Sequence, residues 1–137
     1  MIKTRSTATS TAVMRVINEL GHASNAQILQ ALESEFPALT ATTVHRITTR
    51  LHAQGRIAAA PATLQQAFRY DANTVPHDHF NCRGCDGLRD ITVDRTLLDS
   101  VQEQLGNCKI QGSMVISGIC STCLARSKMS QENSESY

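Results

Sequence analysis

The sequence predicts an α+β fold in two parts: an N-terminal winged helix-turn-helix and a small C-terminal α/β domain with a four-cysteine site. Three observations predict it. In the first half, apolar residues recur at helical spacing in three short runs, and two strand-like runs follow around Pro61. In the second half, strand-like and helix-like runs alternate. All five cysteines lie beyond residue 80, and four of them form two Cys-x-x-Cys pairs.

Val13, Val16, Ile17 and Leu20 mark the first helix, and Gly21 stands at its expected C′ position. Ser24-Asn25-Ala26-Gln27 reads as a capping box, in which Ser24 and Gln27 satisfy orphan amides reciprocally. Ile28, Leu29 and Leu32 then form an apolar face, and Pro37 follows the helix end. A third helix begins near Thr40, with Val44, Ile47 and Leu51 as its buried stripe and Gly55 as its stop. Its other faces offer Thr43, His45, Arg46, Thr49 and Arg50. In a winged helix the third helix enters the major groove, so these five are the candidate DNA contacts. Arg56–Ala60 and Ala67–Asp71 are the predicted strands of the wing.

Further along, Leu88–Val93 reads as a strand. Leu97, Leu98, Val101 and Leu105 mark a helix closed by Gly106, and Lys109–Ser117 is a second strand candidate. Met114–Ile116 is too apolar for a free sheet edge, which predicts a partner and hence a dimer. The expected organisation is a winged-helix domain over 1–70, an α/β dimerisation and metal-binding domain over 71–125, and a polar, disordered tail over 126–137.

At 137 residues the chain is too short for a (β/α)8 barrel of roughly 250. No apolar run approaches the ~20 residues of a membrane span, and MIKTRSTATSTAVM has no signal-like apolar stretch. A cytoplasmic location is expected, where paired thiols hold metal more often than disulfides. Net charge is only +1, but its distribution is uneven: residues 1–70 carry seven Lys/Arg against three Asp/Glu. No acid occurs between Glu35 and Asp71, a stretch holding Arg46, Arg50, Arg56 and Arg69. Such a segment suits a polyanion.

Cys82-Arg83-Gly84-Cys85 and Cys120-Ser121-Thr122-Cys123 are two knuckles, each aiming two sulfurs at one point. Together they complete a tetrahedral four-thiolate shell for structural Zn(II), with an iron–sulfur cluster or redox-active pairs as alternatives. Aromatic residues make only 4% of the chain, so the core gains from such a staple. A closed shell has no open position, so this metal is not expected to be catalytic. Cys108 is left over and is expected to be a small buried apolar residue. His77-Asp78-His79 precedes the first knuckle. On an extended chain His77 and His79 point the same way while Asp78 faces away. Asp71 and Asp90 flank the motif as possible carboxylate ligands. Imidazole with carboxylate suits Fe(II), Mn(II) or Zn(II), although exposed histidines are also common without metal. A metal hydrolase needs a substrate pocket for which the chain is short, so no enzyme is expected. A zinc-ribbon interaction module accounts for the cysteines but leaves Arg46 and the acid-free stretch without a role.

Thr40-Ala41-Thr42-Thr43-Val44-His45-Arg46 resembles the recognition-helix opening of the ferric uptake regulator family. Phe68-Arg69-Tyr70-Asp71, His77-Asp78-His79, the first Cys pair and Gly118-Ile119-Cys120-Ser121-Thr122-Cys123 follow in the family's order, over roughly residues 10–125. The resemblance implies a homodimeric, metal-dependent repressor that binds double-stranded operator DNA and controls metal-homeostasis or peroxide-stress genes. It implies structural Zn(II) on Cys82, Cys85, Cys120 and Cys123. It also implies a regulatory Fe(II) or Mn(II) site of His22, Asp71, His77, His79 and Asp90. All five are nitrogen or oxygen donors, as in the iron- and manganese-binding, peroxide-sensing branch. The zinc-uptake branch, the alternative within the family, uses a Cys in its sensing site. There are departures. The family's N-terminal helix and its basic run are shortened to MIKTRSTATST, which implies the loss of an N-terminal DNA contact. His45 replaces the usual Tyr, which alters base preference. Pro76 and Gly112 stand where some members carry His ligands of an additional metal site, so that site is expected to be absent.

Overall fold

The computed structural model describes residues 5–63 and 68–134. The chain divides into two compact units, Met1–Val75 and Pro76–Tyr137. The break falls five residues beyond the boundary read from the sequence. The reason lies in Tyr70 and Asp71, which pair with strands of the first unit.

In the first unit, α1 (Arg5–Leu20), α2 (Asn25–Leu32) and α3 (Ala41–Ala53) form the helical layer. The core is the set of stripes that periodicity picks out. Val13, Val16 and Ile17 from α1, Ile28 and Leu32 from α2, and Val44, Ile47 and Leu51 from α3 are all buried, joined by Ile57 and Tyr70. Each such side chain contributes about 1.5–3 kcal/mol by leaving water. Gly21, at φ 76°, ends α1 in the left-handed region, and Gly55, at φ 72°, follows α3. The Ser24 capping box is present in full: the Ser24 hydroxyl accepts from the Gln27 amide at 3.1 Å, and the Gln27 side chain accepts from the Ser24 amide at 2.9 Å. Thr40 caps α3, accepting from the Thr43 amide. Thr48 is fully buried on α3, and its hydroxyl lies 3.0 Å from the Asn25 carboxamide oxygen, pinning α3 to the start of α2.

The wing is a three-stranded antiparallel sheet in the order β1 (His22–Ala23), β3 (Tyr70–Asp71), β2 (Ala58–Ala59). Its strands are shorter than the sequence suggests, and Ala67 of the second predicted strand lies outside the described residues. β1 carries no strand signal of its own. Its two residues are extended because they bridge the Gly21 turn and the Ser24 cap, which places His22 opposite Asp71.

In the second unit, β4 (Asp78–Cys82) is the central strand of a three-stranded sheet, antiparallel to β5 (Leu88–Ile91) and parallel to β6 (Val115–Gly118). α4 (Arg95–Leu105) crosses between β5 and β6, capped by Asp94 and ended by Gly106. The predicted strand over Lys109–Ser117 is a strand only from Val115. Pairing with β4 begins at His79↔Val115, and Gly112 at φ 86° turns the chain before it.

Two further expectations need correction. Residues 126–134, read as a disordered tail, belong to α5 (Ser121–Ser134), while residues 135–137 lie outside the described set. α5 has no apolar stripe to announce it. Its first turn is set by the second Cys knuckle, where the Leu124 amide donates to the Cys120 carbonyl, and a preformed turn removes the nucleation cost. Cys108 is exposed, not buried. Gln102 holds its loop by donating to the Cys108 carbonyl and accepting from the Ile110 amide, which leaves the thiol outside.

Candidate metal centres and nucleic-acid interface

The four knuckle cysteines converge within the second unit. Their sulfurs all lie within 4.8 Å of one another, with Cys82 and Cys123 at 3.7 Å and Cys85 and Cys120 at 4.0 Å. A tetrahedron of Zn–S bonds of about 2.3 Å has edges of about 3.8 Å, so the set fits zinc. At these separations the sulfurs are spaced as metal ligands rather than at the ~2.05 Å of a disulfide bond.

The first knuckle follows β4, whose last residue is Cys82, and the second opens α5. The Cys82 sulfur receives backbone amides from Cys120, Gly84 and Cys85 at 3.3–3.5 Å. These donors, the Cys120 amide foremost, lower the Cys82 thiol to about 6 and ready it as a thiolate. Cys123 is pushed up to about 12 by its thiol neighbours, Cys120 first and then Cys82. Metal must therefore displace protons on binding. Gly84 is required here, because a Cβ would sit 2.9 Å from the Cys123 sulfur.

Asp86 closes the knuckle at φ 58°, an uncommon conformation for a side chain other than glycine. Its buried carboxylate accepts from the buried Asn81 amide at 3.2 Å, and Asn81 also donates to the Gly87 carbonyl. Sequence reading missed this pair. An amide two residues after a candidate ligand histidine and an acid immediately after the knuckle were its only signals.

The His and Asp donors fall into two groups, one in each unit. In the first, β1 and β3 are in register at His22↔Asp71, with His22 Nε2 3.2 Å from Asp71 Oδ2. Both side chains are largely buried. In the second unit, His79 pairs with Asp90 across β4 and β5. His77 Nε2 and His79 Nε2 lie 3.1 and 3.6 Å from the same Asp90 oxygen, and the two rings are 4.3 Å apart. His77 and His79 thus share one face, as strand alternation demands. Asp78 faces the other way. Its carboxylate accepts from the Met114 amide at 2.9 Å and the Val93 amide at 3.1 Å. Those two donors, Met114 first, hold the Asp78 carboxyl below the usual carboxylate range. Both groups offer imidazole nitrogen and carboxylate oxygen, a donor set that suits Fe(II), Mn(II) or Zn(II).

On α3, Thr43, His45, Arg46, Thr49 and Arg50 are all exposed, while Val44, Ile47, Thr48 and Leu51 are buried. The helix therefore presents one polar face with two guanidinium groups one turn apart. Among the described residues no helix is long and apolar enough to cross a membrane.

Residues 2–115 match the Ferric uptake regulator family. Similar solved structures include the Campylobacter jejuni peroxide stress regulator, at 21% identity and a TM-score of 0.66, covering 88% of this chain and 93% of that one. The Helicobacter pylori ferric uptake regulator, described with three functional metal-binding sites, is 21% identical at a TM-score of 0.68, covering 85% and 80%. A zinc-bound manganese uptake regulator is 14% identical at a TM-score of 0.69, covering 88% and 91%. No curated protein sequence matches the chain.

Proposed function

Because the chain belongs to the ferric uptake regulator family, we propose that it is a dimeric, metal-dependent transcriptional repressor that binds operator DNA through α3. It is a regulator and not an enzyme, and it works in the cytoplasm. Cys82, Cys85, Cys120 and Cys123 hold structural zinc. His22 and Asp71 of the first unit and His77, His79 and Asp90 of the second are the regulatory ligands for Fe(II) or Mn(II). The observation that carries this reading is the division of donors: a buried His–Asp pair on the wing sheet and a His–His–Asp trio on β4 and β5. Ligands drawn from both units tie the orientation of the DNA-binding unit to metal occupancy.

The residues then have separate tasks. Bound metal supplies the positive charge that two carboxylates and three imidazoles share. Asp71 and Asp90 would add carboxylate donors beside the imidazoles they lie against. Arg46 and Arg50 meet the DNA groove or its phosphates. In a dimer the two α3 helices must match half-sites about one DNA turn apart, so a fixed orientation favours binding and a free one weakens it. A population shift from 1:99 to 99:1 takes about 5.5 kcal/mol of differential affinity, within reach of five ligands on one ion.

The second unit supports the dimer reading. α4 buries none of its residues, Leu97, Val115, Ile116 and Ile119 are exposed, and β6 lies at a sheet edge. Apolar surface beside an open edge calls for a second copy. The absence of sulfur from the regulatory donors favours the iron and manganese branch over zinc uptake.

The test is DNA binding by zinc-loaded protein titrated with Mn(II), Fe(II) or Zn(II), using duplexes selected from a random pool, with and without hydrogen peroxide. Binding that requires Mn(II) or Fe(II) supports the proposal. Equal binding with excess chelator overturns the switch. Loss of binding after peroxide with iron but not manganese, with an added oxygen on a peptide containing His22 or His77, assigns peroxide sensing. Oxidation confined to Met and Cys, with binding intact, assigns metal response alone.

A further inference from the structure

The middle residue of the His-x-His motif has an unusual position. Asp78 stands between two regulatory ligands but points away from them, and both its carboxylate oxygens are engaged by backbone. Oδ1 accepts from the Met114 amide at 2.9 Å and Oδ2 from the Val93 amide at 3.1 Å. These amides belong to different segments. Val93 lies two residues past the end of β5, three beyond Asp90, and Met114 immediately precedes β6.

The ladder explains why this matters. Pairing between β4 and β5 ends at Asp78↔Ile91, one pair beyond His79↔Asp90. Pairing between β4 and β6 begins at His79↔Val115. His77 therefore projects beyond the last ladder pair, at the end of a sheet that frays unless pinned. Backbone hydrogen bonds alone leave Val93 outside the regular ladder. The Asp78 carboxylate recruits it and, on its other oxygen, recruits Met114. Met114 is then held at both polar backbone atoms by consecutive residues, since its carbonyl accepts from the His79 amide at 3.0 Å. One charged side chain thus fixes β4, the exit of β5 and the entry of β6 at the level of His77, His79 and Asp90. Charge-assisted bonds of this kind are about twice as strong as neutral ones.

We infer that Asp78 is a positioning residue for the regulatory metal: it holds His77, His79 and Asp90 in binding register without ligating the ion. This rests on the proposed role of those three residues. Outer groups that orient ligands typically contribute about 10–100-fold to metal affinity.

The experiment titrates full-length, zinc-loaded protein with Mn(II), reading free Mn(II) by electron paramagnetic resonance, for wild type, His79→Ala, Asp78→Ala and Asp78→Asn. Zinc content and Val93 and Met114 amide exchange are measured alongside. Asp78→Ala is expected to weaken Mn(II) by about 10–100-fold, to speed exchange at both amides, and to keep one zinc per chain. Asp78→Asn, which retains one acceptor oxygen, is expected to fall between it and wild type. Wild-type Mn(II) affinity in Asp78→Ala, with affinity lost in His79→Ala, overturns the inference and leaves the metal site standing. Wild-type affinity in His79→Ala overturns the regulatory-site reading itself. Where Asp78→Ala sheds zinc, Asp78→Asn decides: weakened Mn(II) at full zinc supports the role. Unchanged Mn(II), or zinc loss in this variant too, overturns it by making Asp78 a general structural residue.

Discussion

Cys120 and His22 are both proposed metal ligands, but their loss should have opposite consequences. Cys120 also donates its amide to the Cys82 sulfur, and the first turn of α5 starts from it. Cys120→Ser should release the zinc, and with it the folding energy that a unit without a buried helix face depends on. The chain should unfold or become monomeric, as read by zinc content and sedimentation. A zinc-free, stable dimer would refute the staple. His22 lies on a two-residue strand, its side chain largely buried against Asp71 and outside the apolar core of its unit. His22→Ala should keep zinc, fold and dimer, yet lose metal-activated DNA binding. Retained activation would remove the wing sheet from the switch. At this scale the sequence was legible where chemistry has a fixed spacing: the Cys pairs and the His-x-His needed no fold to be found. It was silent where function comes from register. Nothing local to Asp78 reveals that β6 and the β5 exit return to it from distant parts of the chain.

Helices and strands differ in how openly they declare themselves. α2 and α3 were legible because their caps and stripes are local, and Ser24 with Gln27 closes its box within four residues. Ser24→Ala should lower stability by about 1 kcal/mol, readable in urea unfolding of the zinc-loaded protein with an unchanged m-value. α5 and β1 were illegible because neither has its own pattern: one grows from a metal knuckle, the other spans two turns. Cys108 was misread because an apolar thiol usually seeks the interior, whereas Gln102 fixes its loop outward. The proposed DNA-binding surface of α3 is the exposed face left after Val44, Ile47, Thr48 and Leu51 are buried. Arg46→Ala should cost about 1–3 kcal/mol of operator affinity if its guanidinium grips a base edge. If Arg50 meets a phosphate, Arg50→Ala should instead weaken all sequences alike and reduce the salt dependence by about one ion. A double variant with unchanged affinity at saturating Mn(II) would place another element on DNA.

For the whole molecule, the decisive contrast lies between the interiors of the two units. The buried apolar cluster is drawn from the first unit, whereas α4 buries nothing and Leu97, Leu105, Val115 and Ile116 are exposed. A chain with 41% hydrophobic residues can fill one such core more readily than two, and in the proposed dimer zinc and a partner copy would supply what the second unit lacks. This predicts that dimerisation and DNA binding fail together when the second unit's apolar surface is charged. Ile116, 40% exposed on edge strand β6, is the sharpest position, because a carboxylate there costs a monomer little but cannot be desolvated in an interface. Ile116→Asp should retain its zinc and the helical signal of the first unit while sedimenting as a monomer. With single half-sites in place of paired ones, operator affinity should fall by more than about tenfold even at saturating Mn(II), since linking two modules typically raises affinity by about 10²–10⁴-fold. A zinc-loaded Ile116→Asp dimer with full operator affinity would show that the partner covers a different face of the second unit.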